Sequence, residues 1–382
     1  MTPETLQRNA FKARAFTTLT RWITRLQAWP NRLTPPPFRL MQISSAFWQS
    51  RALDVAARLD LATVLGDAAL PVATLAERVG ADAQVLHRLL RLLVAMAVFD
   101  EPSPGVYANN PLSTPLRTDL PGSVRAMVMM HNAPEMSQPW FEQLEQGVRR
   151  GEPPFRLAHG QALYEWMDHH PVFDALFAQA MDQVEALTGD SFATEFDWRA
   201  FDRVIDVGGS RGAKTLAVLK RHAHLQAVVI DRAPVIQQAH GWWTAQGAAA
   251  LLPRVRFEPG DVMQPLPALP IASASGRDAY WLSAVLHGFD DATCVPILRH
   301  VAVAATASGS QARIVVMELV MRAHRADLAT ASFDLQMFMA TTGRERTAGE
   351  WQRVFERAGV QLVEVVRLVS FGQMMVLRPI RC

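Results

Sequence analysis

The sequence predicts an α/β protein: a doubly wound, mostly parallel sheet in the C-terminal half, behind a mostly helical N-terminal region. Three observations carry that expectation. From about residue 200, short apolar runs alternate with helical stretches, the pattern of successive βαβ units. Val204-Ile205-Asp206-Val207-Gly208-Gly209-Ser210-Arg211-Gly212 reads as a buried strand, a glycine turn and a helix start. Val228-Val229-Ile230-Asp231 then reads as a second strand whose terminal carboxylate lies 25 residues after Asp206, where a βαβ unit places the acid that holds a ribose. Glycines let the backbone approach a ligand at the carboxyl end of a strand, so the turn predicts a nucleoside cofactor without saying which one.

The 382 residues allow two or three domains and a large core, and the composition, 49% hydrophobic and 19% charged, is that of a globular chain. A net charge of +2 supplies no global field to draw in nucleic acid or a membrane surface. Lysine occurs only at 12, 214 and 220, so arginine carries the basic charge. Cys294 and Cys382 are too few for a disulfide framework or a zinc site. No apolar run reaches the ~18 residues of a membrane span. The expected setting is cytoplasmic.

Residues 1–37 carry Arg8, Lys12, Arg14, Arg21, Arg25 and Arg32 against the single acid Glu4, with Leu6, Phe16, Leu19, Trp22, Ile23 and Leu26 at helical spacing. A transit peptide or membrane-surface helix has this look. Two tryptophans and the stop at Pro35-Pro36-Pro37 suit an amphipathic structural arm, the preferred reading. Residues 38–120 look helical. Thr74–Gly80 and Val85–Leu93 form a helix-turn-helix pattern, and Val98–Asp100 and Gly105–Tyr107 are candidate strands of a wing hairpin. A DNA-reading second helix needs cations facing phosphates and bases. Here His87, Arg88 and Arg91 are flanked by leucines, which favours a dimer interface and no nucleic-acid partner. Residues 121–190 are helical and dense in methionine and aromatic residues, by default core packing. Their place just before the cofactor sheet also suits a roof over an apolar ligand. Candidate strands follow at 203–207, 227–231, 255–258, 278–283, 313–319, 361–367 and 373–378. The stretch Pro265 to Pro270, with Ser273 and Ser275, reads as a surface loop.

NAD, FAD and S-adenosylmethionine folds share such a turn. Ser210 breaks a true G-x-G-x-x-G, the turn lies behind a helical domain, and Pro259-Gly260-Asp261 offers a further carboxylate after the third strand. With Leu286-His287-Gly288-Phe289-Asp290-Asp291, Met317-Glu318, Asp334-Leu-Gln-Met337 and Gly343-Arg-Glu345-Arg-Thr347, the chain resembles the S-adenosylmethionine-dependent O-methyltransferases of the plant caffeic-acid and bacterial antibiotic-tailoring type. The resemblance covers roughly residues 38–380. It implies a homodimer with a winged-helix-like dimerisation domain (38–120), a helical linker and substrate roof (121–190) and a Rossmann-like methyltransferase sheet (191–382).

It also implies roles. Asp206, Gly208, Gly209 and Gly212 would shape the turn under the methionine part of S-adenosyl-L-methionine. Asp231, with Arg232 beside it, would take the ribose hydroxyls. Gly260, Asp261 and Val262 would flank the adenine, with Phe289 stacked on it. Ser283 stands where plant members usually carry a lysine, and Gly288 and Phe289 where the family often has Asp and Trp. His287 would be the general base, flanked by Glu318 and Glu345. A phenol has a pKa near ~10 and an imidazole near ~6.5, so the imidazole can remove the phenolic proton as the methyl moves to oxygen. The sulfonium already activates that methyl, so the chemistry calls for no metal. Met130, Trp140, Phe177, Met181, Phe333, Met337 and Phe338 are the candidate lining for a flat aromatic or polycyclic acceptor. Rival readings are N- or C-methylation, decarboxylation or hydroxylation on the same fold, and a ligand-sensing winged-helix regulator.

Overall fold

A computed structural model of the chain describes residues 33–269, 276–369 and 372–380. Residues 1–32, most of the expected arm, lie outside the described residues, as do Pro270, Ser273 and Ser275 of the expected loop. The described chain forms two units, one of residues 33–146 and 157–187, the other of residues 147–156 and 188–380.

In the first unit the helices Pro36–Ser44, Ala46–Arg58 and Leu61–Leu65 lead into β1 (Leu70–Pro71). The helix-turn-helix is formed by Val72–Val79 and Ala83–Ala95, divided by Gly80 at φ 66°. That left-handed cap is the conformation glycine enters at least cost. The Asp82 carboxylate caps the second helix by accepting from the Val85 N–H at 2.9 Å. Leu86, Leu90 and Leu93, at i, i+4 and i+7, bury one stripe against Leu61, Leu65, Leu75 and Phe99. The opposite face leaves Val85, Arg88, Arg91 and Leu92 exposed. The wing is longer than the sequence indicated: β2 (Phe99–Ser103) pairs antiparallel with β3 (Val106–Asn109), and β3 pairs with β1. Two residues are too few for β1 to show a period in sequence. Further helices run through Arg125–Asn132, Pro134–Gln138 and Pro171–Thr188, with a π turn at Pro139–Gln143.

The second unit is built on β4 (Arg203–Val207), β5 (Gln226–Asp231), β6 (Val255–Pro259), β7 (Asp278–Ser283), β8 (Arg313–Met321), β9 (Arg346–Thr347), β10 (Val360–Arg367) and β11 (Gly372–Pro379). The order across the sheet is β10-β11-β8-β7-β4-β5-β6, with β9 paired to the end of β8. Strands β6, β5, β4, β7 and β8 are mutually parallel; β11 runs antiparallel to both β8 and β10. Every residue of β4 and β7 is buried, because helices cover both faces. Successive side chains alternate between two cores. Ile205, Tyr280, Leu282 and Ile314 join one with the helices Asp291–Ser308 and Ala348–Ala358. Val204, Val229, Trp281 and Val315 join the other with the helix Ala213–Arg221. The chain reverses its winding between β4 and β7, the switch point at which sheets of this kind open a crevice outside their carboxyl ends.

At the opposite, amino end of those two strands Arg203 and Asp278 sit directly across the ladder. Their bidentate pair (Nε–Oδ1 3.1 Å, Nη2–Oδ2 2.5 Å) is almost wholly buried. Removing one partner of such a pair leaves a charge in low dielectric and costs about 3–5 kcal/mol. Asp278→Asn is therefore expected to lower the urea midpoint sharply, and adding Arg203→Met is expected to recover part of the loss. An unchanged midpoint in Asp278→Asn would show that the pair does not tie β4 to β7.

Candidate active site

The carboxyl edge of the sheet gathers the loops after β4, β5, β6 and β7 with the ends of β8 and the start of β9. In the loop after β4, Gly208 (φ 75°) and Gly212 (φ 79°) are left-handed, and Ser210 adopts the same region at φ 53°. A Cβ on Gly208 would lie 2.8 Å from Val285 Cγ2 and 3.6 Å from Val262, and one on Gly209 would collide with the Asp206 carboxylate. Asp206 is buried beneath the turn, accepting from Thr215 Oγ1 at 2.6 Å. Ser210 keeps the turn because its N–H donates to Asp231 Oδ2 at 2.7 Å, while the Arg232 N–H donates to Oδ1 at 2.8 Å. Burial pushes the Asp231 carboxyl above its ordinary range, and those two N–H groups partly offset it. Two of the roughly four lone-pair positions of that carboxylate are thus engaged internally.

After β6, the Gly260 N–H donates to the Asp231 carbonyl at 2.9 Å and its Cα lies against Ile230. The exposed Asp261 folds its own loop, accepting from the Met263 N–H at 2.9 Å, and Val262 packs on the core. Ser283, at the end of β7, is buried with no hydrogen-bond partner for its hydroxyl. Ala284 follows at φ 53° and opens a helical turn, Leu286–Gly288, in which His287 is the central residue.

His287 Nδ1 lies 2.8 Å from Glu345 Oε1 and 3.9 Å from Glu318 Oε2. Both carboxylates are buried, whereas the imidazole keeps 16% exposure. Burial alone would lower the His287 pKa, but the Glu318 charge and the Glu345 hydrogen bond outweigh it and hold it above 6.5. Glu318 is pushed up by burial, against the lowering effect of His287. The two acids do different work. Glu318 Oε1 accepts from the N–H groups of Val285, Leu286 and His287 at 3.1, 2.8 and 3.3 Å, so it builds the turn. Glu345 orients the ring. Its own N–H donates to Asp334 Oδ1 at 2.8 Å, anchoring it to the helix Leu328–Ala340.

Of the expected acceptor lining, Phe333 stands with its ring 5.8 Å from the imidazole. Met337 and Phe338 lie half-buried on the same helix. Met130, Trp140, Phe177 and Met181 belong to the other unit, where Met130 is buried and Phe177 meets Tyr164 edge-on at 6.5 Å. Phe289 packs on the core. Three contributors were not assigned roles from sequence. Gly343 presses its Cα against the His287 carbonyl, the Asp334 carboxylate holds the Glu345 backbone, and Arg346 is a wholly buried cation beside Glu345. All three lie inside segments that stood out in the sequence, yet their partners are 11 to 60 residues away.

A sheet of this order, with acids and glycines on its carboxyl edge, is the architecture of an enzyme that binds a nucleoside cofactor. The chain matches the O-methyltransferase domain over residues 141–361 and the O-methyltransferase dimerisation domain over residues 41–119. It belongs to the O-methyltransferase family and is a methyltransferase. It is 30% identical to the phenazine O-methyltransferase of Lysobacter antibioticus, over 89% of this chain and 96% of that protein. It is 32% identical to the phenazine-1-carboxylate N-methyltransferase of Pseudomonas aeruginosa, over 88% and 96%. Among solved structures it is similar to an O-methyltransferase from neocarzinostatin biosynthesis, in complex with S-adenosylmethionine and 2-hydroxy-5-methyl naphthoic acid. That match has a TM-score of 0.71 at 29% identity and covers 87% of this chain and 96% of that one.

Left-handed backbone costs a β-branched residue far more than glycine or serine. Ser210→Gly is expected to leave stability within about 0.5 kcal/mol, while Ser210→Val loses about 1–3 kcal/mol. Urea unfolding of the two variants reads this, and equal midpoints would show that the loop is not held at positive φ.

Proposed function

We propose that this protein, as a homodimer, transfers a methyl group from S-adenosyl-L-methionine to a hydroxyl of a flat aromatic or polycyclic natural product. His287 acts as general base. The observation that carries this reading is the 2.8 Å contact of His287 Nδ1 with the buried Glu345, beside a glycine-lined crevice. The residues of that crevice fit the cofactor. Gly208 and Gly209 leave space that a Cβ would fill, the Ser283 hydroxyl lacks a protein partner, and Asp231 keeps lone pairs for ribose hydroxyls. Gly212 and Gly260 shape its walls, and Asp261, Val262 and Phe289 take the adenine side. Bound there, S-adenosylmethionine supplies a methyl on a sulfonium.

The chain's own chemistry is proton removal. Glu345 accepts the Nδ1–H, which leaves the Nε2 lone pair as the base. The acceptor's phenolic proton passes to Nε2 as the oxygen becomes nucleophilic, and the resulting imidazolium is stabilised by Glu345 and Glu318. Phe333, Met337 and Phe338, on the helix that anchors Glu345, supply an apolar face for the ring. The dimer is supported by the dimerisation-domain match and by the apolar residues left exposed on the second helix of the wing unit.

The similarity to an N-methyltransferase favours a second reading, an amine or ring-nitrogen acceptor. A nitrogen lone pair is nucleophilic without prior deprotonation, so such a reaction would depend little on His287. Labelled S-adenosylmethionine offered with phenols, phenazines and polyketide aromatics distinguishes the two. The expected product is a methyl ether, and His287→Ala is expected to lose about 10²–10⁴-fold in rate.

The pH dependence has a definite sign. The base works unprotonated and its pKa lies above 6.5, so the rate is expected to fall as pH drops through that raised value. Glu345→Gln removes a group that raises it, and the acid limb should move to lower pH. A His287→Ala variant at full rate from about pH 6 to 9 would sink the general-base role.

A further inference from the structure

The turn that carries His287 is gripped from below by a cation that the proton-transfer chemistry does not use. Arg346 is 0% exposed. Its Nη1 donates to the Leu286 carbonyl at 3.2 Å and its Nη2 to the Phe289 carbonyl at 2.7 Å, so the guanidinium bridges the residues on either side of His287-Gly288. Nε donates to Asp291 Oδ1 at 2.7 Å, and the guanidinium lies 4.8 Å from the centre of the Trp351 ring. These contacts fix the fork in position and plane. The neighbouring backbone reinforces the grip, because the Arg344 N–H donates to the His287 carbonyl at 2.9 Å.

We propose that Arg346 is a positioning residue for the reaction: by holding the Leu286 and Phe289 carbonyls it sets the height and direction of the His287 imidazole. Its hydrogen bonds go to backbone carbonyls and Asp291, none to the imidazole. This rests on His287 being the base. Consecutive residues thus divide the task, Glu345 fixing the ring's rotation and Arg346 the backbone beneath it. A lysine keeps the charge but offers a single nitrogen on a flexible stem, so it does not reproduce the rigid two-nitrogen grip of the planar fork.

The test is a double-variant cycle on the full chain, reading kcat, KM for the acceptor and the pH profile. A misplacement of about 1 Å costs on the order of 10²-fold, so Arg346→Met is expected to lose about 100-fold in kcat and Arg346→Lys about 10-fold, with KM within about twofold. Asp291→Asn, which weakens only the Nε anchor, is expected to lose a few-fold in the same direction. It serves if Arg346→Met does not fold. The acid limb of kcat in Arg346→Met should shift as the imidazole leaves its Glu345 contact.

The decisive reading is the combination with His287→Ala. If Arg346 acts through His287, the double variant is no slower than His287→Ala alone. Losses that multiply beside a crippled His287→Ala overturn the positioning role and leave the base assignment standing. Full-rate His287→Ala overturns the base assignment and this proposal with it. An acceptor KM that rises while kcat holds would place Arg346 in acceptor binding instead.

Discussion

The short turn from Val285 to Phe289 is the piece on which the rest of the site depends. Five residues follow the end of a buried strand and must present an imidazole to a crevice while their own amide groups are partly or wholly withdrawn from water. Unpaired, those groups would each cost about 1–3 kcal/mol. Glu318 answers the N–H side with one carboxylate oxygen, and Arg346 answers the carbonyl side with two guanidinium nitrogens. Opposite charges at opposite ends complement the dipole of the turn itself, an anion at its amino end and a cation at its carboxyl end.

That arrangement explains why so many ionisable groups are buried at one edge of the sheet. His287, Glu318, Glu345 and Arg346 come from three separate segments, and Asp291 meets Arg346 from a fourth, the helix Asp291–Ser308. None is buried alone. Glu345 takes its partner from the imidazole, Glu318 from three amides, and Arg346 from three carbonyls, a carboxylate and an indole face. The Cys294 thiol, which donates to the Leu286 carbonyl at 3.2 Å, is pushed up to about 12 mainly by burial, so it serves as a neutral filler in the same network.

Within the sheet unit, the non-glycine residues at positive φ follow the carboxyl ends of strands, at the same edge. Ser210 and Ala284 are non-glycine residues at positive φ, and both lie in loops that leave adjacent parallel strands at the switch point. Each is over-determined by its neighbours: Ser210 by its N–H to Asp231, and Ala284 by its N–H to the Met317 carbonyl at 3.0 Å. Such conformations persist where surrounding structure imposes them, and they cluster at functional sites.

Much of this was legible in the chain itself. The β4 and β7 boundaries, the glycine turn, the carboxylate ending β5 and the His287 segment are all local. Apolar runs bounded by turn residues announce buried parallel strands, and small residues announce close approach. The helix-turn-helix was equally plain, because leucines at i, i+4 and i+7 mark a buried stripe. The division of labour between the two glutamates was not legible. Glu318 and Glu345 look alike as residues, and only the pairing of β8 beside β7 puts one against three amides while the loop before β9 puts the other against Nδ1. Arg346 was visible as a letter inside Gly343-Arg-Glu-Arg-Thr347, but nothing local distinguishes a wholly buried guanidinium from the solvated one at Arg344. By itself the sequence determined the longer elements and the inventory of reactive groups, since periodicity and residue chemistry act over a few residues. The tertiary structure alone decided which group each of them serves, since burial and hydrogen-bond partners are set by strands brought together across the sheet.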